Sequence, residues 1–291
     1  MKKLVIVALI LTGTMVIGRL AHQEWERTKR EQRCQQFVQE AYQKAKADIK
    51  RQAKEFASFV EAKKAGAAAF SEDASGAYSK WRKLKEFLPG TDPDGHRQFI
   101  RETFAKHLFS EEEIGQKMRQ AIDGAVKDIE GVENELAVKL RQETIGQPIE
   151  TSEIASVQAE FRRLLNAQVN ASGKDAASGA IQLAGSELAA QIGAQVVLKL
   201  ATSAGLIGAG AATGWWTFGA GLAIGLAVDA IWTAVTDPAG KIKAEVLKAL
   251  DQLAASGTDS IETELVKVLD AKKAQWNLYV ARIAGARPTV P

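Results

Sequence analysis

All six prolines of this 291-residue chain fall where helices would have to stop: Pro89, Pro93, Pro148, Pro238, Pro288 and Pro291. None lies between Ile149 and Asp237. Proline removes a backbone donor and clashes with the preceding turn, so helix interiors exclude it while first turns and loops tolerate it. Alternating β-branched runs bounded by turn signals, the mark of strands, are missing. The pattern predicts an all-α fold, punctuated by its prolines and glycines.

Apolar periodicity places the helices. From about His22 to Lys64, the residues Cys34, Phe37, Ala41, Ala45, Ile49, Ala53, Phe56 and Val60 recur at steps of three and four. That spacing puts them on one face of a long amphipathic helix, with a narrow, alanine-rich stripe suited to close packing. The steps drift from a strict heptad, which argues against a regular coiled coil. "SEDASG" (Ser71 to Gly76) is expected to break the pattern, before a short helix carrying Tyr78, Trp81, Leu84 and Phe87. "LPGTDPDGH" reads as a turn-rich loop. Its Asp92, Asp94 and Gly95 fit part of a calcium loop, but Pro93 and the missing glutamate at the twelfth position leave a plain turn.

A helix from about Arg97 to Leu108 follows. Ser110 and Glu113 then have capping-box spacing at the head of the next one, which runs through Met118, Ile122, Val126 and Ile129 toward Leu140. Pro148 ends it, and Thr151 or Ser152 opens a helix with Phe161, Leu164, Leu165 and Val169. Asp237 before Pro238 is a strong start, an N-cap followed by proline at the first helical position. Ile242, Val246, Leu250 and Leu253 continue to an expected stop at Gly257. Asp259 and Glu262 are expected to open a last helix bearing Ile261, Leu265, Leu269, Trp276, Val280 and Ile283, closed by Gly285.

Two segments bear on location. Lys2 and Lys3 precede an apolar run from Leu4 to Ile17, the layout of an export signal. Residues 4–21 would form about 27 Å of helix, close to the roughly 30 Å hydrocarbon thickness. Ala-x-Ala cleavage chemistry is absent, so an uncleaved anchor is preferred over a removed signal peptide. Arg19, Arg27, Lys29, Arg30 and Arg33 follow the run and blur its charge bias. The bulk of the chain is read as lying outside the cytoplasm.

The second segment is Gly/Ala-rich. Eleven of the 24 glycines lie between Gly173 and Gly225, and Leu200 to Val228 carries no charge. As a single span it would put Trp215 and Trp216 near the bilayer midplane, where tryptophan is disfavoured. A helical hairpin turning around Thr213–Trp216 instead sets Trp215 and Trp216 at one interface and Trp232 near the other. Lys199 and Asp229 each lie 15 residues from Gly214, so a hairpin brings opposite charges to matched depth. Gly210 with Gly214, and Gly221 with Gly225, repeat the small-xxx-small spacing that lets helices approach closely. The same run would also serve as the dry centre of a helical bundle, with Lys199 and Asp229 as a buried pair.

Chemistry is sparse. His22, His96 and His107 share no metal-ligand spacing, and no CxxC, phosphate loop or nucleophile elbow occurs. The carboxylates of "SEEE" and "DIEGVENE" read as solvated helical faces. A net charge of +3 is too small to imply nucleic acid, and one cysteine, Cys34, forbids an internal disulfide. No cofactor, metal site or catalytic residue is expected.

The sequence therefore divides into an anchor or signal peptide (1–21), an elongated amphipathic helical bundle (22–170), a Gly/Ala-rich apolar hairpin (171–236), and a C-terminal amphipathic pair with its tail (237–291). The function it suggests is non-enzymatic: a membrane-anchored cell-envelope tether, scaffold or assembly component, contacting lipid and a protein partner or itself through small-residue helix faces. The alternative is a pore-forming protein whose hairpin deploys on assembly.

Overall fold

The computed structural model describes residues 2–85, 95–171, 191–192 and 237–285. Over these the chain is all-α, with no strand. Helix α1 spans Lys2–Lys63, a single 3-10 turn covers Lys64–Gly66, and α2 spans Ala67–Ser75. Then come α3 (Ala77–Lys85), α4 (Gly95–His107), α5 (Glu111–Ile145), α6 (Thr151–Ala171) and α7 (Pro238–Gly285).

The helix starts obey their capping chemistry. The Ser110 hydroxyl accepts the Glu113 backbone N–H at 3.1 Å, satisfying an amide that the first turn of α5 leaves over. At the head of α7 the Asp237 carboxylate accepts the Gly240 N–H at 3.0 Å. Helix α5 runs unbroken past Gly131 and ends at Gly146, whose φ of 68° is the left-handed conformation that glycine adopts without a Cβ penalty.

Two expected breaks are corrected. Ser71–Ser75 are helical, and only Gly76 interrupts the chain there, with an extended ψ of 171°. Gly257 does not stop a helix, and no new one opens at Asp259: α7 continues through both. The physical reason at Gly257 is packing. A Cβ there would overlap the ring of Phe56, so the glycine lets α7 approach a buried aromatic instead of ending a helix.

The chain forms two compact units. The first comprises Met1–Lys46, Ile129–Ile181 and Val268–Pro291. Its core is Cys34, Val38, Ala41 and Ala45 of α1, Leu136 and Leu140 of α5, Phe161 of α6, and Trp276 and Val280 of α7, all buried. Phe161 meets Tyr279 edge-on at 4.9 Å. Ion pairs fringe the core: Arg33 with Glu143 at 2.6 Å, and Lys44 with Glu135 at 2.7 Å. Tyr42 donates to Asp270 at 2.7 Å.

The second unit comprises Ala47–Asp128 and Gln182–Lys267. Ile49, Ala53, Phe56 and Val60 of α1 are buried with Ile114, Met118 and Ile122 of α5 and Ile242, Val246, Leu250 and Leu253 of α7. Helices α2, α3 and α4 pack on one another. Phe104 lies edge-on to Phe70 at 5.5 Å and to Phe109 at 5.3 Å. The expected α1 stripe is realised, with Phe37 half-buried and Val38 taking the fully buried place beside it.

Among the described residues no helix is long and apolar enough to cross a membrane. The side chains of the Leu4–Ile17 run and all of residues 193–236 lie outside that description.

Candidate functional site

The N-terminal part of α1 is built by continuity. The Leu4–Ile17 backbone and the amphipathic stripe from Cys34 onward belong to one helix, with no loop between them. Between these two parts the helix is mostly exposed, and the buried face begins only at Cys34. A solvent-surrounded stretch this short is marginal on its own, so its helicity depends on the structure at its ends. Trp25 is 52% exposed, stacks on His22 at 5.9 Å, and carries the Lys29 ammonium 3.4 Å from its ring centroid. An amphipathic aromatic flanked by cations just beyond an apolar run is the composition of a bilayer interface.

Where the bundle begins, burial pushes the Cys34 thiol up to about 11, with the Glu143 carboxylate adding to the shift and Arg30 and Arg33 opposing it. Cys34 is a packed hydrophobe, not a reactive thiol.

Two buried polar clusters were not legible beforehand. In the first unit, Glu133 accepts from Lys272 Nζ at 2.8 Å through both oxygens and from the Trp276 indole N–H at 3.0 Å. Glu133 is 5% exposed, which corrects the expectation that "DIEGVENE" is a solvated face. The signal was present: Glu133 is four residues after Ile129 and four before Ala137, on the stripe that carries Leu136 and Leu140. In the second unit, the Ser79 hydroxyl and His96 Nε2 are 3.0 Å apart, and both residues are buried. That is nucleophile-and-base spacing, with Ser79 and His96 at 0% and 2% exposure. Both clusters cross-link helices: α5 to α7, and α3 to α4.

His107 and Lys106 both reach Asp73, at 2.7 and 3.1 Å, and hold its carboxyl below the usual carboxylate range, His107 contributing most. No group of three or more His, Cys, Asp or Glu side chains among the described residues is arranged to hold a metal ion.

The residues singled out for helix packing or membrane contact, Lys199, Gly210, Gly214, Trp215, Trp216, Gly221, Gly225, Asp229 and Trp232, all lie outside the described residues. No protein-family model, curated protein or solved structure matches the chain significantly.

Proposed function

We propose that this chain is a membrane-anchored helical tether or scaffold of the cell envelope, acting by binding and positioning. The observation that supports the reading is the single helix α1. It leads from a positively headed apolar run, through an exposed collar bearing Trp25 and Lys29, into the core of a helical bundle. A loop at that junction would uncouple anchor from body, whereas a continuous helix makes the body an extension of the anchor. The Gly/Ala-rich hairpin is a second membrane contact or a helix-packing element within this scheme, and the bulk of the chain lies outside the cytoplasm.

The test is alkaline-carbonate extraction of membranes from cells expressing the full chain, beside the Leu9→Arg/Ile10→Arg variant. The full chain is expected in the membrane pellet and the variant in the supernatant, since a charge at a helix centre costs roughly 3 kcal/mol of insertion. Full chain in the supernatant refutes anchoring. Variant chain in the pellet shifts the anchor to the hairpin, and dye leakage from liposomes would then favour the pore-forming alternative.

A further inference from the structure

Three helices of the first unit are laced together by polar contacts. Arg33 of α1 pairs with Glu143 of α5 at 2.6 Å, and Lys272 of α7 pairs with Glu133 of α5 at 2.8 Å. Tyr42 of α1 donates to Asp270 of α7 at 2.7 Å. Helix α6 takes no part in this lacing. Its charged residues Glu153, Glu160, Arg162 and Arg163 are all exposed, and none of them forms an ion pair among the described residues. The Ser156 hydroxyl donates to the Glu153 carbonyl, a bond that stays within the helix.

The apolar hold on α6 is also thin. From Thr151 to Glu160 no residue is buried: Ile154, Val157 and Gln158 are half-buried and the others exposed. Contact is concentrated further on, at Phe161 and Leu165, 3% and 4% exposed. The Phe161 ring meets Tyr279 of α7 edge-on at 4.9 Å. Burial pushes the Tyr279 phenol up and the Glu160 carboxylate adds to the shift, so two successive residues of α6 act on that ring. The joint to α5 offers no further grip. Ile145, Gly146, Gln147 and Pro148 are exposed, and the backbone bonds there, Gly146 to Gln142 and Glu153 to Glu150, are local. A helical stretch this short is marginal without packing, and segments with few buried contacts open below the free energy of global unfolding.

We propose that the N-terminal half of α6, from Thr151 to Phe161, is a releasable strap. It lifts from the first unit and draws Phe161 off Tyr279 while α1, α5 and α7 stay folded. Ile154, Val157 and Phe161 are spaced to share one helical face. Lifting therefore uncovers that face together with the Tyr279 ring, and one local event turns two apolar surfaces from covered to open. The inference rests on neither the anchor nor the scaffold reading.

The test is native-state hydrogen exchange followed by mass spectrometry on the full chain in detergent micelles, with each amide scaled to its intrinsic rate. Amides from Ala155 to Phe161 are expected to be protected, yet to exchange more than about tenfold faster than those of Ile129–Leu140 in α5 and Val268–Trp276 in α7. Phe161→Ala is expected to speed exchange at Ala155–Gln158 by about a further tenfold and to leave the α5 and α7 amides within about twofold. Exchange in α6 within tenfold of α5 and α7 overturns the proposal, because α6 would then open only with the whole unit. So does a complete lack of protection in the unaltered chain, which would mean that no strap is fastened. An Ala155–Gln158 rate unchanged by Phe161→Ala also overturns it, since that is fraying from Thr151 with no latch at Phe161.

Discussion

Replacing Glu133 by leucine is the sharpest probe of the bundle. Its carboxylate serves three hydrogen bonds, two from Lys272 and one from the Trp276 indole, with the Glu133 and Lys272 side chains only 6% and 18% exposed. Glu133→Leu strands the Lys272 ammonium in a nearly dry site. Breaking a buried pair from one side costs about 3–5 kcal/mol. The lower end applies here, because the flexible lysine stem has some room to carry its head toward water. The unpaired indole N–H adds about 1 kcal/mol, for a total near 4 kcal/mol. In Glu133→Leu/Lys272→Met the stranded charge is gone and only the indole remains unsatisfied, so the double variant should lose about 1–2 kcal/mol. The larger change is thus expected to be the milder one, by about 2–3 kcal/mol. Equilibrium urea unfolding followed by far-ultraviolet circular dichroism measures all four corners of the cycle. A single variant within about 0.5 kcal/mol of wild type, or a double variant less stable than the single, would refute the reasoning.

Gly257→Ala should destabilise by about 1–3 kcal/mol, although alanine is the better helix former, because the new methyl overlaps the buried Phe56 ring; Phe56→Leu should restore part of the loss in thermal melts. Gly66→Ala should be comparably costly and resist rescue, since its methyl would meet the His107 backbone carbonyl. Asp73 is held below the ordinary carboxylate range in the folded chain, so its contribution is present above that range and lost as pH falls through the folded value. Asp73→Asn should therefore flatten the acid limb of Tm against pH below about 4, while costing no more than about 1 kcal/mol at neutrality because the carboxylate is 46% exposed. The Cys34 thiol, raised to about 11, should react slowly with a disulfide reagent at about pH 8 until urea unfolds the chain. Its contribution to stability is present below the ordinary thiol range and lost as pH climbs toward the folded value.

How much the sequence disclosed follows the length scale of each feature. The α1 stripe and the Ser110 and Asp237 caps are local, set by residues within a turn of one another, and the structure has them as the pattern implies. Gly257 misled because a glycine within an apolar pattern marks either an end or a close approach. Only the distant Phe56 decides which. Glu133 misled through its charge: a carboxylate reads as solvated until a lysine and an indole from α7 are found beside it. Tyr78, Trp81 and Leu84 were visible as a periodic set, but periodicity gives a shared face and not its direction. The buried Ser79–His96 pair is what turns that face outward.

The segment composition of the first unit has a consequence for synthesis. Its core joins Cys34, Val38, Ala41 and Ala45 of α1 to Trp276 and Val280 of α7, which are far apart in the sequence. A ribosome adding roughly 5–20 residues per second reaches the closing segment on the order of tens of seconds after the opening one has emerged. Throughout that interval Cys34, Val38, Ala41 and Ala45 have no α7 to cover them. The nascent chain thus carries an adhesive strip on α1 until α7 is made, and a holding factor would find its binding site there.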